Sequence, residues 1–404
     1  MSMRILHTSD WHCGRSLHGE DLNDAFDAFA SWLIETVQQH DVDAVLVSGD
    51  LFDRAVPPIH AVNRLSSLLT QLCCHSTVIL TPGNHDSATR LGFVAPLLNG
   101  RLHIVSDIER IGHAIEVTSA TGIGALIYPI PYVEPDAGRT ILSNSDEPLA
   151  RSHQAVLGAA LQRIDADLRP RRNAGDDRAA ICMVHAFVVG GAPSDSERDI
   201  QVGGVDSVPS ELFDTLGVGS ATQPLAHGLD YVAAGHLHKA QAIAASQVPI
   251  RYSGSPLFYS FSEASVSKSA VLLTLDHRSV TSIDLLPIPT FRALASITGT
   301  FDDLLSENYT HVEDHWLSIT VTDSHRPESM VAVLKKRFPF ALAIMHCPDA
   351  SSTRPVAHTA DFRVRNEVDI LNDFFYDVGG KELNDAETRV IYDVLTSARQ
   401  EVMQ

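Results

Sequence analysis

The chain has 404 residues and carries 30 Lys and Arg against 50 Asp and Glu, a formal net charge of −20 at pH 7. That balance excludes a protein that coats nucleic acid by electrostatics alone, because duplex affinity draws heavily on cationic side chains displacing counterions from phosphates. A membrane helix is excluded too: no run approaches ~18 apolar residues, and the longest, Ala179 to Val189, contains His185.

From the N-terminus, short β-rich apolar runs alternate with helical patterns, as in layered α/β proteins. Met3 to Thr8 reads as a strand ending at Ser9-Asp10. Leu22, Phe26, Phe29, Leu33 and Val37 fall at intervals of four and three, one buried stripe of a helix. Ala44 to Val47 is a buried-strand run closed by Gly49-Asp50, His60 to Leu72 suits a helix, and Thr77 to Leu80 is a strand broken by Pro82-Gly83. Gly124 to Ile127, Ile181 to Val184 and Tyr231 to Ala234 repeat the theme, each followed by a polar or His-bearing loop. Between Ser246 and Leu286 the runs crowd together in the manner of antiparallel strands. Arg169-Pro170-Arg171-Arg172 reads as a basic cluster in a loop.

Pro287 and Pro289 punctuate the chain. The expected organisation is a catalytic domain over 1–287, a small α/β capping domain over 288–347, a linker over 348–365 and a helical region over 366–404. Within the last part, Asn366 to Val378 and Asn384 to Val402 pattern as two helices, and Asn384 with Glu387 forms a capping-box-like start. Their apolar residues exceed what two helices bury alone, so they pack on the parent domain or on a partner. The cysteines Cys13, Cys73, Cys74, Cys182 and Cys347 are odd in number and lack framework spacing, which suits reduced thiols. Together with an N-terminus that lacks a leader pattern, this gives the expectation of a cytoplasmic chain.

Chemistry concentrates in short motifs at strand ends: Asp10-Trp11-His12, Gly49-Asp50, Gly83-Asn84-His85-Asp86, His185, and Gly235-His236-Leu237-His238. Taken singly, each has a plain explanation. Asp10 and His12 fit a turn, Gly-Asp turns are common, and His236 and His238 fit two polar residues facing one side of a strand. An ordinary turn at Gly83-Asn84, however, has no use for the added His85. Carboxylate, amide and imidazole placed repeatedly where open α/β sheets gather ligands point to a centre for borderline divalent metals. The absence of cysteine from the set argues against a structural zinc.

These motifs resemble the calcineurin-like metallophosphoesterases over roughly the first two thirds of the chain. The resemblance implies an αββα layered fold and two divalent ions, manganese foremost. One ion would take Asp10, His12 and His238, the other Asn84, His185 and His236, with Asp50 bridging. His85 would orient phosphate and protonate the leaving oxygen, while a hydroxide between the ions attacks phosphorus in line. Met3 to His12, Val47 to Asp53, Ser194-Asp195 to Arg198-Asp199-Ile200, and Arg251 to Pro256 with Ser260-Phe261 are further similar to the SbcD group of that superfamily. That likeness implies a DNA exonuclease and hairpin endonuclease in repair, recombination and replication. It also implies a homodimer assembled with an SMC-like, SbcC-type ATPase through its C-terminal helices, associated with the nucleoid. Val184 and Cys13 depart from the group's pattern, and Cys13 raises the question of oxidation beside the site. The alternatives are a phosphoesterase acting on a small phosphodiester or a phosphoprotein, and a non-catalytic scaffold on the same fold.

Overall fold

The computed structural model describes residues 2–98, 100–197, 207–216, 228–348, 384, 386–390 and 394. Chain contacts divide it into two compact units, Met1–Leu294 and Ala295–Gln404.

The first unit is built on two six-stranded sheets. Its elements in chain order are β1 (Met3–Thr8), α1 (Asn23–Gln39), β2 (Ala44–Ser48), α2 (Ile59–His75), β3 (Thr77–Thr81), β4 (Leu102–Ile104), β5 (Ile115–Thr118), β6 (Gly124–Pro129), α3 (His153–Asn173), β7 (Ala179–His185), β8 (Tyr231–Gly235), β9 (Gln241–Ile243), β10 (Ile250–Tyr252), β11 (Ser269–Leu275) and β12 (Val280–Pro287). One sheet runs β12-β11-β1-β2-β3-β4 and the other β9-β10-β8-β7-β6-β5. Their centres are parallel: β1 to β2, β2 to β3, β6 to β7 and β7 to β8.

Side-chain alternation along these strands makes the layers. Ile5, Ala44, Leu46, Ile79, Ile127, Ile181, Met183, Tyr231, Ala233 and Leu273 form a core between the two sheets. Their neighbours Leu126, Tyr128, Ala180, Cys182, Val184 and Ala234 face the other way and pack with Val156, Leu157, Leu161, Ile164 and Leu168 of α3. On the first sheet Leu6, Val45, Val47 and Leu80 are likewise fully buried, and α2 packs on β3 with α1 beside it. The stripe Phe26, Phe29, Leu33 and Val37 is the buried face of α1. The order helix, sheet, sheet, helix is the layering expected from the sequence.

Two expectations are corrected. The runs after Ser246 are not one antiparallel set: β10 pairs parallel to β8 in one sheet, whereas β11 and β12 form an antiparallel pair in the other. Run spacing reports strand length, not which sheet a strand joins. The Arg169 to Arg172 cluster is helical, in the last turn of α3. Carboxylates one turn back hold it there: Asp165 pairs with Arg169 at 2.7 Å and Asp167 with Arg171 at 2.8 Å. Arg172 Nη2 lies 3.6 Å from Asp230. Pro170 sits inside the helix without ending it.

The second unit holds a three-stranded sheet of β13 (Leu294–Gly299), β14 (Trp316–Val321) and β15 (Ala341–His346), with α4 (Met330–Arg337) between the last two. β14 and β15 are parallel. Ile297, Leu304, Leu317, Ile319, Val321, Leu334 and Phe338 form its core. At the C-terminal end, Asn384 Oδ1 accepts from Glu387 N at 3.0 Å and Glu387 Oε2 from Asn384 N at 2.9 Å, a reciprocal capping box. The expected helix over 366–378, the linker residues 349–365 and most of 384–402 lie outside the described residues. Among the described residues no helix is long and apolar enough to cross a membrane.

Candidate metal centre

At their carboxyl ends the two sheets come close together, and glycine permits the approach. A Cβ on Gly235 would meet Ser48 O at 1.9 Å, so only glycine lets β8 lie against β2 there. Ser48 Oγ donates across the gap to Ala233 O at 2.9 Å. Every motif singled out in the sequence leaves its strand at this end.

The chain turns sharply to aim those side chains inward. Asp10, His12, Asp50 and His236 all have positive φ, at 55°, 41°, 52° and 107°. Non-glycine residues avoid this region because Cβ crowds the backbone, and such strain gathers at functional sites. Backbone bonds hold the turns: Asp10 N donates to Gly49 O at 3.0 Å and His12 N to Asp50 O at 2.9 Å.

The seven expected ligands converge. His12 Nε2 lies 3.1 Å from His238 Nε2 and 3.5 Å from Asp50 Oδ2. On the far side of Asp50, His185 Nε2 lies 3.5 Å from Oδ2 and 2.9 Å from Asn84 Oδ1. Asn84 Oδ1 is also 3.3 Å from His236 Nδ1. Asp10, His12 and His238 can offer ligand atoms to one ion, and Asp10, Asp50 and His185 to another grouping that shares the same carboxylates. Asp50 thus stands between the two halves.

The donor set fits a cation better than it fits itself. His185 Nδ1 faces the carbonyl of Ser48 at 2.9 Å, so Nδ1 carries hydrogen and a neutral ring turns a bare Nε2 toward the oxygens of Asn84 and Asp50. Acceptors facing acceptors in a buried site are held together by a shared cation or a proton. In the metal-free chain the proton serves. Burial would lower the pKa of His185, but the Asp50 carboxylate outweighs it and raises it to about 9. Burial also opposes the charge on Asp50, yet the imidazoles of His185 and His12 hold it well below the usual carboxylate range. Asp10, buried and close to Asp50, is raised to about 7. Burial lowers His12, His236 and His238 instead, leaving neutral rings suited to ligation. His12 Nδ1 and Asn84 Nδ2 are buried without a hydrogen-bond partner.

His85 reaches the rim of this cluster. Its backbone N donates to Asp50 Oδ1 at 2.9 Å, its Nδ1–H donates to Asp53 O at 2.7 Å, and its ring is edge-on to His12 with centroids 4.7 Å apart. It is half-buried, unlike His12, His185, His236 and His238, which lie below the surface.

Sequence reasoning missed the groups that brace the ligands. Asp86 had no assigned role beyond its motif. Its carboxylate accepts from Leu51 N at 3.0 Å, Phe52 N at 2.9 Å and Gly83 N at 3.0 Å, tying two ligand loops together. Ser196 Oγ lies 2.5 Å from His238 Nδ1, and Glu197 Oε1 accepts from His238 N at 2.7 Å. Tyr259 Oη donates to Trp11 O at 2.6 Å, and Arg15 stacks on its ring at 4.7 Å. The only sequence signal was position inside the Ser194 and Ser260 stretches, since residues that act from behind a ligand have no spacing of their own. Arg198, Asp199 and Ile200 lie outside the described residues. The Cys13 question is answered by burial: the thiol is 1% exposed and its pKa is pushed up to about 12, which keeps it from acting as a thiolate.

Comparison with known proteins agrees with this geometry. The calcineurin-like phosphoesterase family matches residues 3–240. Two SbcD proteins, named as parts of the SbcCD nuclease in two strains of Escherichia coli, are each 33% identical over 338 residues, covering 79% of this chain and 78% of theirs. A solved dimetal phosphatase from Danio rerio is 12% identical with a TM-score of 0.40, covering 71% of this chain and 99% of that one. The family match spans more than half the chain, and the identity to the Escherichia coli proteins extends well past it, through most of the sequence. The chain belongs to the calcineurin-like phosphoesterase family, in the group of the SbcD proteins.

Proposed function

We propose that this chain is the nuclease component of an SbcCD-type complex, hydrolysing DNA phosphodiesters with two divalent ions, manganese by preference. The observation that carries the reading is the convergence of Asp10, His12, Asp50, Asn84, His185, His236 and His238 on one buried spot, with His85 at its rim. Asp10, His12 and His238 would hold one ion and Asn84, His185 and His236 the other, with Asp50 between them. When bound, such a pair supplies Lewis-acid charge to the phosphate and acidifies a water.

The chain's own groups do the rest. The half-buried imidazole of His85, fixed through its Nδ1–H on Asp53 O, leaves Nε2 free to meet a phosphate oxygen and to hand a proton to the leaving group. The half-exposed position of His85 matches a substrate that arrives from solvent while the ligands stay covered. The Escherichia coli relatives are named as parts of a nuclease complex, which supports an ATPase partner of the SbcC type, a homodimer, and roles in repair, recombination and replication. The net charge of −20 agrees with a partner supplying much of the grip on DNA.

The test is incubation of the purified chain with manganese and a labelled hairpin DNA, beside bis-p-nitrophenyl phosphate, with and without the ATPase. Manganese-dependent cutting of the hairpin, enhanced by the ATPase, is the expected result. Hydrolysis of the small ester with no cutting of DNA under any condition would move the chain to the small-phosphodiester reading.

A further inference from the structure

Behind His238 lies a buried polar chain that metal ligation does not itself require. Ser196 is 7% exposed, and its hydroxyl sits between His238 Nδ1 at 2.5 Å and Glu263 Oε1 at 2.6 Å. Glu263 is fully buried and its other oxygen is paired with the Lys268 ammonium, itself 5% exposed. Lys268 Nζ also donates to His238 O at 3.1 Å and to Ser255 Oγ at 2.8 Å.

The direction of each bond follows from counting protons. An ammonium only donates and an ionised carboxylate only accepts, so Glu263, paired with Lys268, has no hydrogen to offer Ser196. The single hydroxyl proton of Ser196 therefore goes to Glu263. That leaves a lone pair of Ser196 toward His238 Nδ1, and a contact of 2.5 Å requires Nδ1 to carry the hydrogen. His238 Nε2 is then bare, and it is the atom that points at His12 Nε2, 3.1 Å away.

We propose that Lys268, Glu263 and Ser196 form a buried relay that fixes His238 as the Nδ1–H tautomer, keeping its Nε2 available to the cation held with Asp10 and His12. Ser196 is a positioning residue: it touches neither ion nor substrate. The role rests on the metal centre proposed above, but the tautomer exists whether or not metal is bound. Groups that orient a metal-ligating imidazole from behind typically cost about 10- to 100-fold in affinity when removed.

The experiment uses the full chain labelled with 15N at histidine. Nitrogen shifts of the His238 ring in the metal-free protein report the tautomer, and calorimetric titration with manganese reports the two affinities. The wild type is expected to show the Nδ1–H form. Ser196→Ala should show a mixture of tautomers and lose about 10- to 100-fold at one manganese site while the other is unchanged. Ser196→Thr, which keeps the hydroxyl, should restore both readings, and far-UV circular dichroism confirms that each variant folds. A wild-type ring in the Nε2–H form, or a Ser196→Ala variant with unaltered tautomer and unaltered affinities, overturns the relay. A wild type that binds no manganese overturns the metal centre instead, and the nitrogen shifts then decide the relay by themselves.

Discussion

Raising the pH should tighten manganese binding, and the size of the effect follows from the geometry around His185. Its Nδ1–H is committed to Ser48 O, so an ion can only be ligated through Nε2, the atom that faces Asp50 and Asn84. In the metal-free chain that nitrogen is protonated, because the pKa is about 9. At pH 7 the ion must displace a proton held about two pH units below its pKa, which costs about 2.7 kcal/mol, or roughly 100-fold in affinity. The affinity should rise about tenfold from pH 7 to 8 and level off once pH passes the pKa of His185. Below pH 7 the slope should steepen, since Asp10, raised to about 7, then releases a proton as well. Calorimetry in two buffers of different ionisation enthalpy counts the protons directly, and close to one per loaded chain is expected at about pH 7.5. An affinity independent of pH with no proton released would refute both the ligand assignment of His185 and the charge balance derived for it.

Three further outcomes follow from the same centre. His85→Ala should leave manganese binding intact and lower turnover at least about 100-fold, the usual contribution of a positioned proton donor; normal turnover would remove its role. Gly83→Ala should lose manganese binding, because the new Cβ would stand 2.1 Å from Asp50 Oδ1 and 2.4 Å from Asp50 N, so the backbone and the shared carboxylate must both move; unchanged calorimetry would contradict this packing. Deletion of everything after Pro355 should spare manganese-dependent cutting of single-stranded DNA and abolish co-purification with the ATPase, and continued co-purification would place the partner contact elsewhere.

How much of this was legible beforehand differs from element to element. Strand β1 and the buried face of α1 could be read directly, because burial imposes its period on neighbouring residues and period is written in sequence. The His85 motif was legible because an added imidazole has no use in a plain turn. The helix through Arg172 was not, because Pro170 and a run of charge imitate a loop while the stabilising carboxylates sit a turn away. The parallel pairing of β10 with β8 was hidden as well, since a three-residue strand carries no record of its neighbour.

The sequence by itself determined which groups are available: seven ligand-type side chains at strand ends, a proton donor among them, and the alternation that forces two sheets face to face. The tertiary structure decided how they are held. That Asp86 ties two loops, that Ser196 and Glu263 stand behind His238, and that Gly235 lets one sheet touch Ser48 are contacts between residues far apart in the chain. Local periodicity is set by neighbours a few residues away, whereas proton order and close approach depend on partners that only folding brings within reach.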